Sequence, residues 1–119
     1  MKCPYCGEEA VLRNSSWIYK NGNDEDKVYV CKNYPECDSY VGCHKGSIRP
    51  KGSLANSELR SYRIKAHKEL SGMQKRSGLS RRKTYNWLSS LLNVDMSNCH
   101  IGLFNKDMCQ SVIDMCRAF

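Results

Sequence analysis

The chain has 119 residues, 40% of them hydrophobic, and a formal net charge of +7 at neutral pH. This length allows one or two small units, neither of which a large hydrophobic core alone can stabilise. Because no run approaches the roughly 18 apolar residues of a membrane span, we expect a soluble chain with no membrane partner.

The first motif is a pair of cysteines, Cys3 and Cys6, separated by two residues and followed by a glycine. Two thiolates at this spacing on a tight turn present both sulfurs to one ion, and a second pair completes a tetrahedral site. The spacing favours Cys31 and Cys37 as that second pair, with Cys43 as the alternative fourth ligand. The sequence therefore predicts one Zn²⁺ ion per chain.

The same cysteines could instead form two disulfides. Met1 and Lys2 lead directly into the first cysteine pair, with no apolar stretch of a secretory signal. Because the cytoplasm keeps thiols reduced, we expect a cytoplasmic protein, with zinc favoured over disulfides.

Two segments rich in Val, Ile, Tyr and Trp, residues 10–20 and 27–31, predict β-strands joined by a polar turn. Residues 39–42 can add a third strand. Two glycines and a proline within residues 46–53 indicate a linker. Together these features predict a zinc ribbon over residues 1–45.

Beyond the linker, apolar residues recur at helical spacing. A first helix is predicted over about residues 55–71, and a second over 81–92 with Ser80 as its N-cap. Asn93 can end the second helix in a left-handed conformation, and Asn105 can cap a third. Three short helices predict a small bundle.

The predicted fold class is therefore α+β, with a basic helical domain over residues 54–119 following the ribbon. Residues 46–92 carry eleven Lys or Arg against two Asp or Glu, so few acids are available for i,i+4 pairing. A nucleic-acid partner would be held through this segment. The candidate phosphate contacts are Arg60, Arg63, Lys65, Lys68, Lys75, Arg76, Arg81, Arg82 and Lys83.

The motifs Cys-Pro-x-Cys-Gly from Cys3 and Cys-x-Asn-Tyr-Pro-x-Cys from Cys31 resemble the zinc modules at the carboxy end of type IA DNA topoisomerases. The match covers about a third of the chain and includes no topoisomerase body, so strand passage is not implied. Those modules bind single-stranded DNA partly through exposed aromatic rings. The resemblance implies DNA rather than RNA as the partner, and stacking by some of Trp17, Tyr19, Tyr29 and Tyr34.

The rings named above could instead form the small core of the ribbon. For Trp17 and Tyr29 the two interpretations stay open.

The whole chain, including residues 54–60 and 99–104, also resembles a group of small zinc-finger-containing proteins from bacteriophages and prophages. This second resemblance implies a phage origin, a location in the host bacterial cytoplasm, and no particular activity. An alternative to nucleic-acid binding is a phage module that inhibits or redirects a host enzyme or defence factor. Its positive face would dock onto an acidic protein surface.

Catalysis is the weakest of the functional interpretations. The three histidines, His44, His67 and His100, lie in no recognisable hydrolase or nuclease constellation. Glu58 and His67 are nine residues apart, about 2.5 helical turns, and so would point to opposite sides of a helix. We expect a non-enzymatic protein, with nuclease activity as the minority alternative.

A second metal site built on Cys99 and His100 is also the weaker alternative. The similar pair Cys43-His44 and the nearby Cys109 favour such a site, but Cys109 and Cys116 fall on the apolar stripe of the third helix. A cysteine at such a position behaves as a small hydrophobe. These cysteines are therefore expected to be core residues.

Overall fold

The computed structural model describes all 119 residues and divides the chain into two compact units, Met1–Glu58 and Leu59–Phe119. It confirms the α+β class, with an antiparallel sheet in the first unit and three helices after it. None of the helices combines the length and hydropathy that crossing a bilayer requires.

The first unit is built on three antiparallel strands in the order β1-β2-β3. β1 spans Ala10–Asn14, β2 spans Lys27–Cys31 and β3 spans Tyr40–Gly42. Side chains alternate between the two faces of a strand, so Val28 and Val30 share one face of β2, where both are fully buried. The face of the sheet that carries Val28 and Val30 is therefore shielded from solvent.

β1 is shorter than the predicted strand over residues 10–20, because the chain leaves the sheet at Ser15. The Ser15 amide donates to the Asp26 carbonyl at 2.8 Å, and its hydroxyl oxygen accepts the Asn23 amide at 2.9 Å. These bonds tie Ser15 to the hairpin loop instead of to β2. The next residues form a short 3₁₀ turn over Ser15–Trp17.

Residues 46–53, predicted as a linker, run back along β3 in the structure. The Lys51 amide donates to the Gly42 carbonyl at 2.9 Å, and Ala55 forms a further bridge to β3. Leu54, only 1% exposed, completes the small hydrophobic cluster beside the cysteines. Hydrophobic burial favours this path, since Leu54 packs with Cys3 and Cys31 and both Leu54 and Ala55 are removed from solvent.

The helical unit consists of α1 from Leu59 onwards, α2 and α3. α1 spans Ser57–Ser77, α2 spans Arg81–Leu92 and α3 spans Lys106–Ala118. Two 3₁₀ turns, Met96–Asn98 and Ile101–Leu103, connect α2 to α3. The core of this unit contains eleven buried residues: Ala66, Leu70, Met73, Leu88, Cys99, Ile101, Phe104, Cys109, Val112, Ile113 and Cys116.

Local capping rules set the helix ends. Ser80 Oγ accepts the amide three residues later at 3.2 Å, and Asn105 Oδ1 does the same for α3 at 2.9 Å. Asn93 ends α2 at φ 55° and ψ 47°, the left-handed conformation that the sequence predicts. α1 continues past residue 71 because Met73 is fully buried, and it ends before Gly78 at φ +72°.

Candidate metal centre

The first two cysteines lie on a tight turn at the start of the ribbon. The Gly7 amide donates to the Cys3 carbonyl at 2.9 Å, and the Cys3 amide donates to the Glu8 carbonyl at 2.7 Å. Gly7 adopts φ +80°, a conformation in which a side chain would be strained. The turn therefore brings Cys3 and Cys6 to the same side of the chain.

The second pair lies at the end of β2 and in the loop after it. Cys31 is the last residue of β2, and its carbonyl accepts the Tyr34 amide at 3.0 Å. The Cys37 amide donates to the Asn33 carbonyl at 3.1 Å. These two bonds fold the loop back so that Cys37 faces the first turn.

The four sulfur atoms of Cys3, Cys6, Cys31 and Cys37 all lie within 4.8 Å of one another. The Cys3–Cys37 pair is separated by 3.5 Å and the Cys6–Cys31 pair by 3.4 Å. A tetrahedral ion with metal–sulfur bonds of about 2.3 Å places its sulfurs about 3.8 Å apart. The two close pairs lie slightly below that value and no pair exceeds 4.8 Å, so the cluster fits a single four-coordinate ion.

Two polar side chains support the sulfurs from outside. Ser39 is fully buried, and its Oγ lies 3.0 Å from Cys3 Sγ and 3.6 Å from Cys37 Sγ. Asn33 Nδ2 donates to Cys6 Sγ at 3.6 Å. Donors of this kind stabilise thiolate charge and orient the ligands of a metal.

The thiols of Cys3 and Cys31 have opposite tendencies to ionise. Burial raises the pKa of Cys3, but hydrogen bonds from Ser39 and from the Tyr5 and Cys6 amides outweigh burial and lower that pKa to about 6. At Cys31 burial dominates and raises the pKa to about 12. A bound cation is therefore needed to stabilise four adjacent thiolates, including that of Cys31. An all-thiolate tetrahedral set is the ligand set of structural zinc.

Cys43, the alternative fourth ligand, is not part of this cluster. Its thiol is buried next to β3, and its amide donates to the Lys27 carbonyl at 3.1 Å. Burial raises the pKa of the Cys43 thiol, although the nearby Lys51 acts in the opposite direction. Cys37 completes the site instead, because the loop after β2 turns back onto the first cysteine pair.

The cysteines and histidines outside the ribbon site form no comparable cluster. Cys99, Cys109 and Cys116 are buried in the helical core, and burial raises the pKa of all three thiols. His100 is exposed. Because apolar surroundings disfavour the thiolate, these core thiols stay protonated and unreactive.

The aromatic residues of the ribbon lie side by side. Ring centroids are 5.3 Å apart for Trp17 and Tyr34, 6.4 Å for Tyr34 and Tyr40, and 5.9 Å for Tyr40 and Tyr19. The Arg13 guanidinium lies 5.1 Å from the centre of the Trp17 ring. We call Trp17, Tyr34, Tyr40 and Tyr19 the aromatic row.

Both ends of the aromatic row face solvent, since Trp17 is 48% exposed and Tyr19 45%, while the two inner rings are half-buried. Tyr40 was not among the predicted stacking residues. Its position as an aromatic residue at the start of the short third strand is the signal that indicates it. Tyr29 lies outside the row, and its hydroxyl donates to the Ile48 carbonyl at 2.9 Å.

Two of the predicted phosphate contacts bond within the helical unit. Arg63 is buried, and its Nε donates to the Phe104 carbonyl at 3.1 Å. Arg76 Nη2 donates to the Cys116 carbonyl at 2.9 Å near the end of α3. The helical pattern of α1 predicts Arg63 on the surface, but its long side chain extends across the apolar stripe to reach a carbonyl and is buried.

The other predicted cations lie at the surface of the helical unit. Arg60 is half-buried, and the exposed members are Lys65, Lys68, Lys75, Arg81, Arg82 and Lys83. No acidic residue occupies the first turn of α2, where the last three lie. Arg81 covers the Tyr85 ring at 5.4 Å, and both residues line a cleft of about 420 Å³ with Arg82 and His100.

The strands, the turn and the four converging thiols define a small zinc-binding protein of the zinc-finger class. The sequence matches the model of the zinc-finger-containing domain family DUF3268 over residues 1–119, so the chain belongs to that family. No curated protein and no solved structure matches the chain.

Proposed function

We propose that the protein binds single-stranded nucleic acid, DNA in preference to RNA, without enzymatic activity. The observation that supports this proposal is the aromatic row of the ribbon, with its two solvent-exposed ends. Every base has a π-face, and one base stacked on one ring contributes about 1–3 kcal/mol. The resemblance of the cysteine motifs to topoisomerase zinc modules agrees with this role.

The zinc site positions the row. Tyr34 lies in the loop between the ligands Cys31 and Cys37, and its amide bonds to the Cys31 carbonyl. The ring of Tyr34 contacts those of Trp17 and Tyr40 on either side. Binding to the row is therefore expected to require the bound ion.

The helical unit would supply long-range attraction. It carries eleven Lys or Arg against four Asp or Glu, whereas the ribbon unit has eight of each and gains two negative charges when its four thiolates hold one Zn²⁺. With Arg63 and Arg76 engaged in the fold, the remaining phosphate contacts would come from the exposed set on α1 and α2. Affinity from phosphate contacts carries no sequence preference and falls steeply with salt.

The test compares Trp17→Leu with Tyr5→Leu, using fluorescence anisotropy of a labelled single-stranded DNA. Tyr5 serves as the control, since it is an aromatic of the same unit with similar exposure, 44% against 48% for Trp17, and lies outside the row. Its hydroxyl accepts the Asn56 amide at 3.2 Å and it lies between two zinc ligands, so native mass spectrometry first checks that Tyr5→Leu keeps one zinc ion. Loss of one stacked base should weaken binding about 5- to 150-fold for Trp17→Leu. The control should bind as the wild type does.

A second series varies the salt concentration. Contact with about five phosphates of a single strand gives a slope near −3.5 in a plot of log affinity against log salt. A flat slope, no binding at low salt, or equal affinities of the two variants would overturn the proposal. Retention of a stoichiometric protein from a nuclease-treated bacterial lysate would instead favour a phage module acting on a host protein.

A further inference from the structure

A second feature of the ribbon unit lies at the end of the sheet away from the zinc site. The turn after Ser15 and the start of β2 enclose, with the end of β3, a cleft of about 830 Å³. Four lysines line it and only one carboxylate does, that of Asp26. We call it the lysine cleft, defined by Lys20, Lys27, Lys45 and Lys51.

The charges in the cleft are largely uncompensated. Lys27 is held in place, since its ammonium donates to Asn14 Oδ1 and to the Asp24 carbonyl. Asp26 accepts a hydrogen bond from the Asn23 side chain at 3.1 Å rather than from a lysine. No ion pair or side-chain hydrogen bond engages Lys20, Lys45 or Lys51. Like charges gathered without partners repel one another, and a bound anion relieves that repulsion.

The cleft also adjoins the aromatic row. Tyr19 is the last ring of the row, 5.9 Å from Tyr40, and it lines the cleft as well. A strand whose bases stack on the row would therefore carry its sugar-phosphate backbone towards the lysines. The volume lies within the roughly 300–1,000 Å³ typical of ligand sites.

One of the residues lining the cleft is a glycine that can be substituted without strain. Gly42 lies on β3 and lines the cleft, and a Cβ added there would meet no atom within 4 Å. Its φ is not in the left-handed region, so the backbone does not require glycine at this position. A β-branched residue would suit a strand there and would narrow the cleft next to Gly42.

We propose that the lysine cleft binds backbone phosphates of the same nucleic-acid strand whose bases stack on the aromatic row. This inference rests on the proposed function and extends it, because it assigns phosphate binding to the ribbon itself, which the sequence had assigned only to the helices. Lysine suits this task as a mobile point charge, since phosphodiesters along a flexible strand offer no fixed bidentate geometry.

The first experiment measures the salt slope of single-stranded DNA binding for the double variant Lys20→Gln/Lys45→Gln. Removal of each phosphate-binding lysine should make the slope shallower by about 0.7. If wild type and variant bind equally at 1 M salt, the same relation predicts that loss of one such lysine lowers the affinity about eightfold at 50 mM salt. The substituted side chains are exposed, so folding should be unaffected.

The matched control is Lys2→Gln/Lys32→Gln, which makes the same change of net charge. Lys2 forms a backbone β-bridge with Glu9 beside the cysteine turn, and Lys32 follows the ligand Cys31. Both residues therefore lie at the zinc end of the sheet. The control should keep the wild-type slope to within about 0.3, less than half of the change expected for one phosphate.

The second experiment tests the space rather than the charge, with Gly42→Val. Narrowing the cleft should weaken DNA binding at least fivefold while one zinc ion stays bound, as measured by native mass spectrometry. Equal slopes for the two double variants would overturn the cleft proposal, and so would unchanged affinity of Gly42→Val. If Trp17→Leu still weakens binding in that case, the proposed function stands without the cleft; if wild-type protein does not bind, both fail.

Discussion

Removing zinc should unfold the ribbon unit and leave the helical unit folded. The hydrophobic cluster beside the site contains only three buried residues, Cys3, Cys31 and Leu54, and two of these are ligands themselves. The helical unit, by contrast, buries eleven residues in its own core. A structural zinc ion contributes about 10–16 kcal/mol, which matches or exceeds the 5–15 kcal/mol of a typical small domain. Without the ion, the ribbon's free energy of unfolding should therefore become negative.

The assay is an ¹H–¹⁵N correlation NMR spectrum of the full chain before and after a strong chelator, with zinc content followed by native mass spectrometry. Amide signals of Val28 and Val30, both fully buried in β2, should collapse to random-coil positions. Those of Leu88 and Val112 in the helical core should stay dispersed. Added zinc should restore the ribbon signals.

Two single substitutions sharpen the same experiment. Cys37→Ser removes one ligand of the cluster, whereas Cys43→Ser removes a buried thiol outside it. We expect Cys37→Ser to lose its zinc to a chelator that leaves the wild type loaded, and Cys43→Ser to keep one ion per chain. Zinc-free protein with intact Val28 and Val30 signals would refute the reasoning, as would equal zinc retention by both variants.

Three further outcomes concern the helical unit, each followed by urea denaturation with zinc present. Arg63→Met should lower the free energy of unfolding by about 1–3 kcal/mol, because it leaves a buried carbonyl without its donor, whereas Lys65→Met on the exposed face should stay within about 0.5 kcal/mol. Leu88→Ala should cost about 2–5 kcal/mol, since this side chain is fully buried. Burial and the nearby Arg81 lower the pKa of His67 below 6.5, so the unfolded chain binds the proton more readily and stability should fall as the pH drops below 6.5. His67→Gln should reduce that fall between pH 7.5 and 5.5.

The features that the sequence predicted well depend on residues close together in the chain. Ser80 and Asn105 cap helices through amides three residues away, and Asn93 ends α2 through its own backbone conformation. The cysteine turn is equally local, since Gly7 bonds back to Cys3. Such signals need no knowledge of the tertiary fold.

The features that differ depend on partners distant in the chain. Leu54 belongs to the ribbon core because Cys3 and Cys31 are there to cover it, and nothing within residues 46–53 indicates that contact. The helical stripe predicts Arg63 as a surface cation, yet its partner is a carbonyl 41 residues away. Burial of a polar side chain is decided by whether such an acceptor is reachable.

The distribution of charge in the fold also differs from what a count along the sequence predicts. Counted along the chain, the ribbon is neutral and its basic residues are balanced in number by acids. In three dimensions Asp24 and Asp26 are engaged in the hairpin loop, while Lys20, Lys45 and Lys51 share one cleft. The helical unit shows the reverse, since Arg63 and Arg76 contribute to its net charge but bond within its fold. An anion responds to the local field and not to the sum over a segment, so the neutral unit is where phosphate binding is best tested.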